Sequence, residues 1–255
     1  MRDLDERSIA LRKKIVDIMA VSRQGHIRSA FSCLEIVRVL YDDILQPDDK
    51  FILSKGHGCL AQYVMLADKG YITQDDLFKF CQDGALLGGH PTAKIPGVHV
   101  ATGSLGHGLP IGIGFALAGY RTFVLMGDGE CNEGSVWEAA MCASKHKLSN
   151  LTVIIDYNEQ QSYGTTHEVL ELELFMDKWK AFGFGSFEID GHNIEELKFY
   201  LQDAPEGNPN PFALICHTIK GKGIKLTEQE MRWHYKSGIT DAEIKSLYEG
   251  LENYA

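Results

Sequence analysis

Gly127-Asp128-Gly129 closes the apolar run of residues 122–126, and Asn158 follows after 28 intervening residues, just beyond a second apolar run, residues 151–155. Compact apolar runs of this length read as buried strands. The Gly-Asp-Gly therefore falls where a strand gives way to a helix, which is where open α/β sheets bind ligands. Glycines there let backbone approach a phosphate with no Cβ in the way. The carboxylate between them can hold a hard cation. One carboxylate, the amide oxygen of Asn158 and a ligand phosphate make a site suited to Mg²⁺, or to Ca²⁺ or Mn²⁺ in its place.

Histidines form the second group with chemical potential. The chain has 10, and several sit beside glycine, among them Gly25-His26, Gly56-His57-Gly58, Gly89-His90-Pro91 and Gly106-His107-Gly108. No pair has the spacing of zinc ligands on one helix or knuckle. Imidazoles in glycine loops can donate to phosphate and hydroxyl groups and can move protons near neutral pH. His26, His57, His90 and His234 are read as surrounding a polyhydroxylated, anionic ligand. His107 divides evenly between a structural and a functional role. His99, His146, His167, His192 and His217 are read as structural or solvated.

The elements that must carry these groups alternate. Residues 4–21 and 32–44 read as helices, 51–53 as a strand and 59–69 as a helix. Thr73 and Asp76 have the spacing of a capping box. Residues 84–108 form a long Gly-, Pro- and His-rich loop, of the kind that is usually functional in a compact domain. A small-residue helix at 109–119 leads to strand 122–126, helix 133–147 and strand 151–155. Strand 187–189, a helix capped by Asn193 and Glu196, strand 212–216 and a terminal helix capped by Thr240 and Glu243 complete the chain. The pattern predicts the α/β class, as a single domain over 1–255 with a mostly parallel sheet covered by helices on both faces.

Composition narrows the field. With 255 residues, 44% of them hydrophobic, the chain can bury a substantial core. A net charge of −10 argues against nucleic-acid binding. No apolar run approaches the ~18 residues that span a membrane, and the first 21 residues lack a signal-peptide core. The 6 cysteines lack Cys-x-x-Cys pairing, as expected of reduced thiols in a cytoplasmic protein. No Gly-x-Gly-x-x-Gly follows an early strand, which removes a Rossmann dehydrogenase.

Gly-Asp-Gly followed by Asn at about this distance is similar to the signature of thiamine diphosphate enzymes, although Tyr157-Asn158 stands where Asn-Asn is frequent. Four further motifs come in order. Gln24-Gly25-His26-Ile27, Leu53-Ser54-Lys55-Gly56-His57 and Gly89-His90-Pro91 are followed by Thr102-Gly103-Ser104-Leu105-Gly106-His107-Gly108. Together they resemble the N-terminal, diphosphate-binding part of a transketolase over roughly residues 8–240. The resemblance implies thiamine diphosphate and Mg²⁺ as cofactors. Asp128, Asn158 and the backbone carbonyl of Gln160 would hold the metal. His57, Gly129 and Asn158 would meet the diphosphate, and Gly103, Ser104 and Leu105 the rings. His26 and His90 would contact the donor ketose. His234 would lie between cofactor phosphate and substrate, and Glu133 would join an acidic network across a dimer. His107 replaces a usual Gln. Arg28 replaces a usual Gly, and either grips an anionic substrate group or pairs with another protein chain.

The resemblance stops before the pyrimidine-binding and C-terminal domains, so it implies a split enzyme. A partner chain would bring those domains, as an α2β2 heterotetramer. The implied reaction moves a two-carbon ketol unit from a ketose, or ketose phosphate, to an aldose. One alternative is a specialised enzyme for a sulfo-, branched or nucleotide-linked sugar. Another is a non-catalytic cofactor-binding regulatory subunit.

Overall fold

The computed structural model describes residues 4–202 and 209–254. The two ends of the 1–255 domain reading, including the chain end at Ala255, lie outside the described residues, as do residues 203–208. Five parallel strands form the central sheet: β2 (Lys50–Leu53), β3 (Thr122–Gly127), β4 (Leu151–Tyr157), β5 (Gly185–Asp190) and β6 (Phe212–His217), in the order β2-β3-β4-β6-β5. A separate antiparallel pair joins β1 (Gln24–Gly25) to β7 (Lys236–Ser237), pairing Gln24 with Ser237 and Gly25 with Lys236.

The inner strands are buried on both faces, as parallel strands under helical cover must be. Along β3, Phe123 and Leu125 face one core while Val124 and Met126 face the other. The first core receives α1 (Glu6–Ser22), α2 (Ile27–Ser32), α3 (Leu34–Val39), α4 (Cys59–Asp68) and α5 (Gln74–Phe78), with α10 (Ile194–Gln202) and α12 (Asp241–Glu252). The second receives α6 (Gly108–Leu117), α7 (Gly134–Lys145) and α9 (Phe175–Ala181). The short helices α8 (Thr166–Val169) and α11 (Lys225–Gln229) lie in loops beyond β4 and β6. The α/β sheet covered on both faces is thus observed.

Local chemistry explains the boundaries. Asp5 caps α1 by accepting from Ser8 N–H, and Arg23 ends it in the left-handed region at φ 57°. The capping boxes expected at Thr73/Asp76 and Thr240/Glu243 are both formed. Asn193 and Glu196 hydrogen-bond at the start of α10. The expected helix over 32–44 is corrected. Ser32 closes α2, Cys33 breaks the helix, and α3 ends in a π turn at Leu40–Ile44. The hydroxyl of Ser32 is engaged with the Asp156 carboxylate, which draws α2 toward the sheet end. Residues 79–107 contain no helix or strand, in agreement with the long loop expected over 84–108. Among the described residues no helix is long and apolar enough to cross a membrane.

Candidate active site

Four parallel strands deliver their carboxyl ends to one cleft of about 620 Å³. β2 runs into Lys55 and His57, β3 into Asp128, β4 into Asn158 and Gln160, and β6 into Lys220; all of these line the cleft. The long loop contributes His90, Gly103 and Leu105, and the β1–β7 pair contributes His26 and His234. His26 follows β1 directly and His234 shortly precedes β7. Pairing those two-residue strands therefore brings together imidazoles 208 positions apart in sequence.

Asp128 is organised by backbone. Its Oδ1 accepts from Gly129 N–H at 2.7 Å, and its Oδ2 accepts from Asn158 and Glu159 N–H at 2.9 and 2.6 Å. Glu159 holds φ 59° to make this turn, a conformation that non-glycine residues adopt at a cost. Asn158 Oδ1 accepts from Gln160 N–H at 3.2 Å, and its amide donates to Ser32 Oγ at 3.2 Å. The Lys220 ammonium donates to the Gln160 carbonyl. Burial, with Asp156 next, pushes Asp128 up to about 6. Burial, with Lys55 next, pushes Lys220 down to about 8. Lys55 stays charged against its burial because it is paired with the buried Asp156.

The imidazoles cluster. Ring centroids lie 5.6 Å apart for His26–His57, 6.0 Å for His26–His90, 5.6 Å for His26–His234 and 5.9 Å for His57–His234. Burial first, then His90 and the two lysines, lowers His26 to about 4. Burial and then Lys220 lower His234 to about 3, and burial and then Lys55 keep His57 well below 6.5. Burial also lowers His90. These rings are therefore neutral at pH 7 and can accept protons. Gly103 adopts φ +142°, and a Cβ there would lie 3.0 Å from the His90 ring. Only glycine lets that ring lie so close against the loop.

This arrangement makes the free chain acid-labile. Unfolded imidazoles protonate near 6.5, whereas the folded rings resist down to about 4 at His26 and about 3 at His234. The unfolded state binds more protons across that window, so the stability is complete above pH 6.5 and drains away as pH falls through it. Asp128, raised from 3.8 to about 6, works in the opposite sense between those values, as does Glu130, raised by burial, two carboxylates against four imidazoles. The urea midpoint is expected to fall from pH 7 to pH 4.5, and His26→Ala to flatten the fall. A midpoint that holds or rises on acidification contradicts this electrostatic picture.

The structure brings His26, His57, His90, Gly103, Leu105, Asp128, Gly129, Glu133, Asn158, Gln160 and His234 into one cleft. Ser104 and His107 are exposed and do not line it. Arg28, read as a substrate or partner ligand, sits behind the cleft. It is 1% exposed and lies outside the cleft lining. Its guanidinium donates to the Gln160 side chain and to the Glu228 carbonyl at 3.0 Å. Among the described residues its Nε and Nη1 have no hydrogen-bond partner. His192 is structural, as expected, bridging Glu35 and the N–H of Ile219.

Lys55 and Lys220 were not among the expected site residues. Lys55 stands inside the Ser-Lys-Gly-His motif. Lys220, in Thr218-Ile219-Lys220-Gly221, repeats after β6 the strand-then-glycine signal that marks Asp128 after β3. The donor set suits a diphosphate with a hard divalent cation. One carboxylate, one amide oxygen and one backbone carbonyl are oxygen donors of the preferred kind, and two buried ammonium groups face the same space. Among the described residues there is no cluster of three or more His, Cys, Asp or Glu for a metal. A cation here would accordingly share its shell with a ligand.

A parallel sheet that presents a carboxylate–amide turn, two lysines and neutral imidazoles at its carboxyl edge defines a diphosphate-binding α/β module. The chain belongs to the transketolase family: the family described as "Transketolase, thiamine diphosphate binding domain" matches residues 5–252. Over 255 residues it is 42% identical to one of the separate subunits of the apulose-4-phosphate transketolase of Phocaeicola vulgatus, covering 94% of this chain and 90% of that one. It is 34% identical over 248 residues to the 6-deoxy-6-sulfo-D-fructose transketolase subunit SqwG of a Clostridium species, covering 91% and 90%. The transketolase structure from Campylobacter jejuni superposes with a TM-score of 0.87 at 27% identity, covering 97% of this chain but 42% of that enzyme. The chain thus matches separate subunits nearly end to end and spans less than half of that solved transketolase.

Proposed function

We propose that the chain is the diphosphate-binding subunit of a two-component transketolase, moving a two-carbon ketol unit from a ketose to an aldose. The observation that carries this is the convergence of Asp128, Asn158, Lys55, Lys220 and four neutral imidazoles at one sheet edge. Asp128, Asn158 and the Gln160 carbonyl would hold Mg²⁺, and the Lys220 ammonium would pair with the diphosphate. His57, Lys55 and Gly129 line the diphosphate. Gly103 and Leu105 form the shelf for the rings. Bound thiamine diphosphate supplies the nucleophile and electron sink needed to break and form a carbon–carbon bond beside a carbonyl.

The chain's own part is proton traffic and orientation. Cleavage of the donor C2–C3 bond turns the C3 hydroxyl into an aldehyde and frees its proton. A ring nitrogen of His26 or His90 accepts that proton, which a neutral imidazole can do at pH 7. The same group returns a proton to the acceptor's carbonyl oxygen as the new bond forms. His234 lies beside His26 and completes the polar wall.

A partner chain carries the pyrimidine and C-terminal domains, in an α2β2 assembly. Exposed Glu133 on the cleft rim faces that partner. The six cysteines are free thiols, in keeping with a cytoplasmic enzyme. The two split relatives favour a specialised sugar, branched or sulfonated, over the common pentose phosphates. A cleft lined by Asp128, Asn158, Gln160, Lys55 and Lys220 argues against a purely regulatory role.

Purified alone with thiamine diphosphate and Mg²⁺, the chain is expected to show no ketol transfer, and activity should appear on adding the partner chain. Turnover by the isolated chain at the rate of the reconstituted pair would overturn the split-enzyme reading.

A further inference from the structure

Glu130 is 1% exposed, on the turn Gly129–Asn132 that follows β3. Its carboxylate gathers three loops of the cleft. Oε1 accepts from the Ser54 hydroxyl and from Gly106 N–H at 2.8 Å, and Oε2 accepts from Gly127 N–H at 3.4 Å. All three donors are neutral, so the carboxylate organises backbone rather than balancing a cation. Both backbone groups of Gly106 are held, because Ser135 Oγ donates to its carbonyl at 2.8 Å.

Packing explains why the anchor comes from outside the loop. Gly106 adopts φ +81°, and a Cβ there would lie 2.5 Å from Ser135 Oγ and 2.7 Å from Glu133 Cβ. Neither it nor Gly103 has a side chain with which the loop could fasten itself to the sheet. Leu105, the preceding residue, and Gly103 line the cleft. The Asp128 part of the cleft has hydrogen bonds of its own: Asp128 binds the N–H groups of Gly129, Asn158 and Glu159.

We infer that Glu130 is a positioning residue for the ring portion of the cofactor. Together with Ser135 it fixes the backbone on both sides of Gly106, and so sets where Gly103 and Leu105 stand, without holding the diphosphate. This inference rests on the site reading given under Proposed function.

The test compares two ligands in the assembled two-component complex with Mg²⁺: thiamine diphosphate and inorganic diphosphate, each titrated by calorimetry. Glu130→Ala is expected to raise the thiamine diphosphate Kd at least tenfold while leaving the inorganic diphosphate Kd within about twofold. Glu130→Gln should recover most of the loss, since its amide oxygen can still accept from Gly106. Ser135→Ala should give a smaller loss of the same selectivity, and adding it to Glu130→Ala should cost little more, because both act on the backbone of one residue, Gly106. Parallel weakening of both ligands, or no weakening of either, overturns the inference. Should Glu130→Ala not fold by circular dichroism, Ser135→Ala decides by the same comparison. A wild-type complex that binds neither ligand overturns the site reading itself, and this inference with it.

Discussion

Asp128→Ala is expected to weaken Mg²⁺-dependent binding of thiamine diphosphate to the assembled complex by about 100-fold, on the order of 2.8 kcal/mol. Asp128 is 3% exposed and is the carboxylate of the donor set formed with Asn158 and Gln160. Removing it leaves a doubly charged cation and a diphosphate against a wall whose other oxygens are uncharged. Losing one partner of a buried charge pair is costly because the other stays buried and uncompensated. The same substitution frees the N–H groups of Gly129, Asn158 and Glu159, which the carboxylate gathers. Calorimetry with and without Mg²⁺ measures this. An unchanged metal-dependent Kd would remove Asp128 from the metal site.

The second large effect concerns chemistry. His90→Ala is expected to lower kcat and kcat/KM together by about 100-fold or more, the usual scale for losing a general acid–base group. Thiamine diphosphate affinity should change by no more than about twofold. His90 packs on Gly103 and lies 6.0 Å from His26 between ring centroids, whereas the expected diphosphate groups are His57, Gly129 and the lysines. A variant with normal kcat at saturation and weakened cofactor binding would place His90 with the cofactor and remove it from proton transfer.

The strands and their ends were legible because each is a compact apolar run closed by glycine or a polar residue. That pattern located Asp128, Asn158 and His57, and each lines the cleft. His26 and His90 were legible for another reason: histidine flanked by glycine in a loop has little packing purpose. The β1–β7 pair was not legible, since two residues per strand cannot show a period of two. Yet this pair carries His234 to His26 and completes the imidazole cluster. The burial of Arg28 was not legible, because it is decided by packing of the Gln160 loop and α11. Lys220 was hidden in plain lysine- and glycine-rich sequence. Its value comes from burial beside Asp128, Lys55 and the Gln160 carbonyl, which are brought to it from three other strands. The break at Cys33 likewise follows from the long-range hold of Asp156 on Ser32.

A crystal structure of this chain with its partner, thiamine diphosphate and Mg²⁺ would probe the proposed site most directly. The diphosphate is expected at the carboxyl ends of β3 and β4. A cation is expected about 2.0–2.1 Å from oxygens of Asp128, Asn158 and the Gln160 backbone, with the Lys220 ammonium moved from that carbonyl to a phosphate oxygen. A cofactor seated elsewhere, or a cleft in which Lys220 still holds Gln160 and no metal touches Asp128, would refute the proposed site.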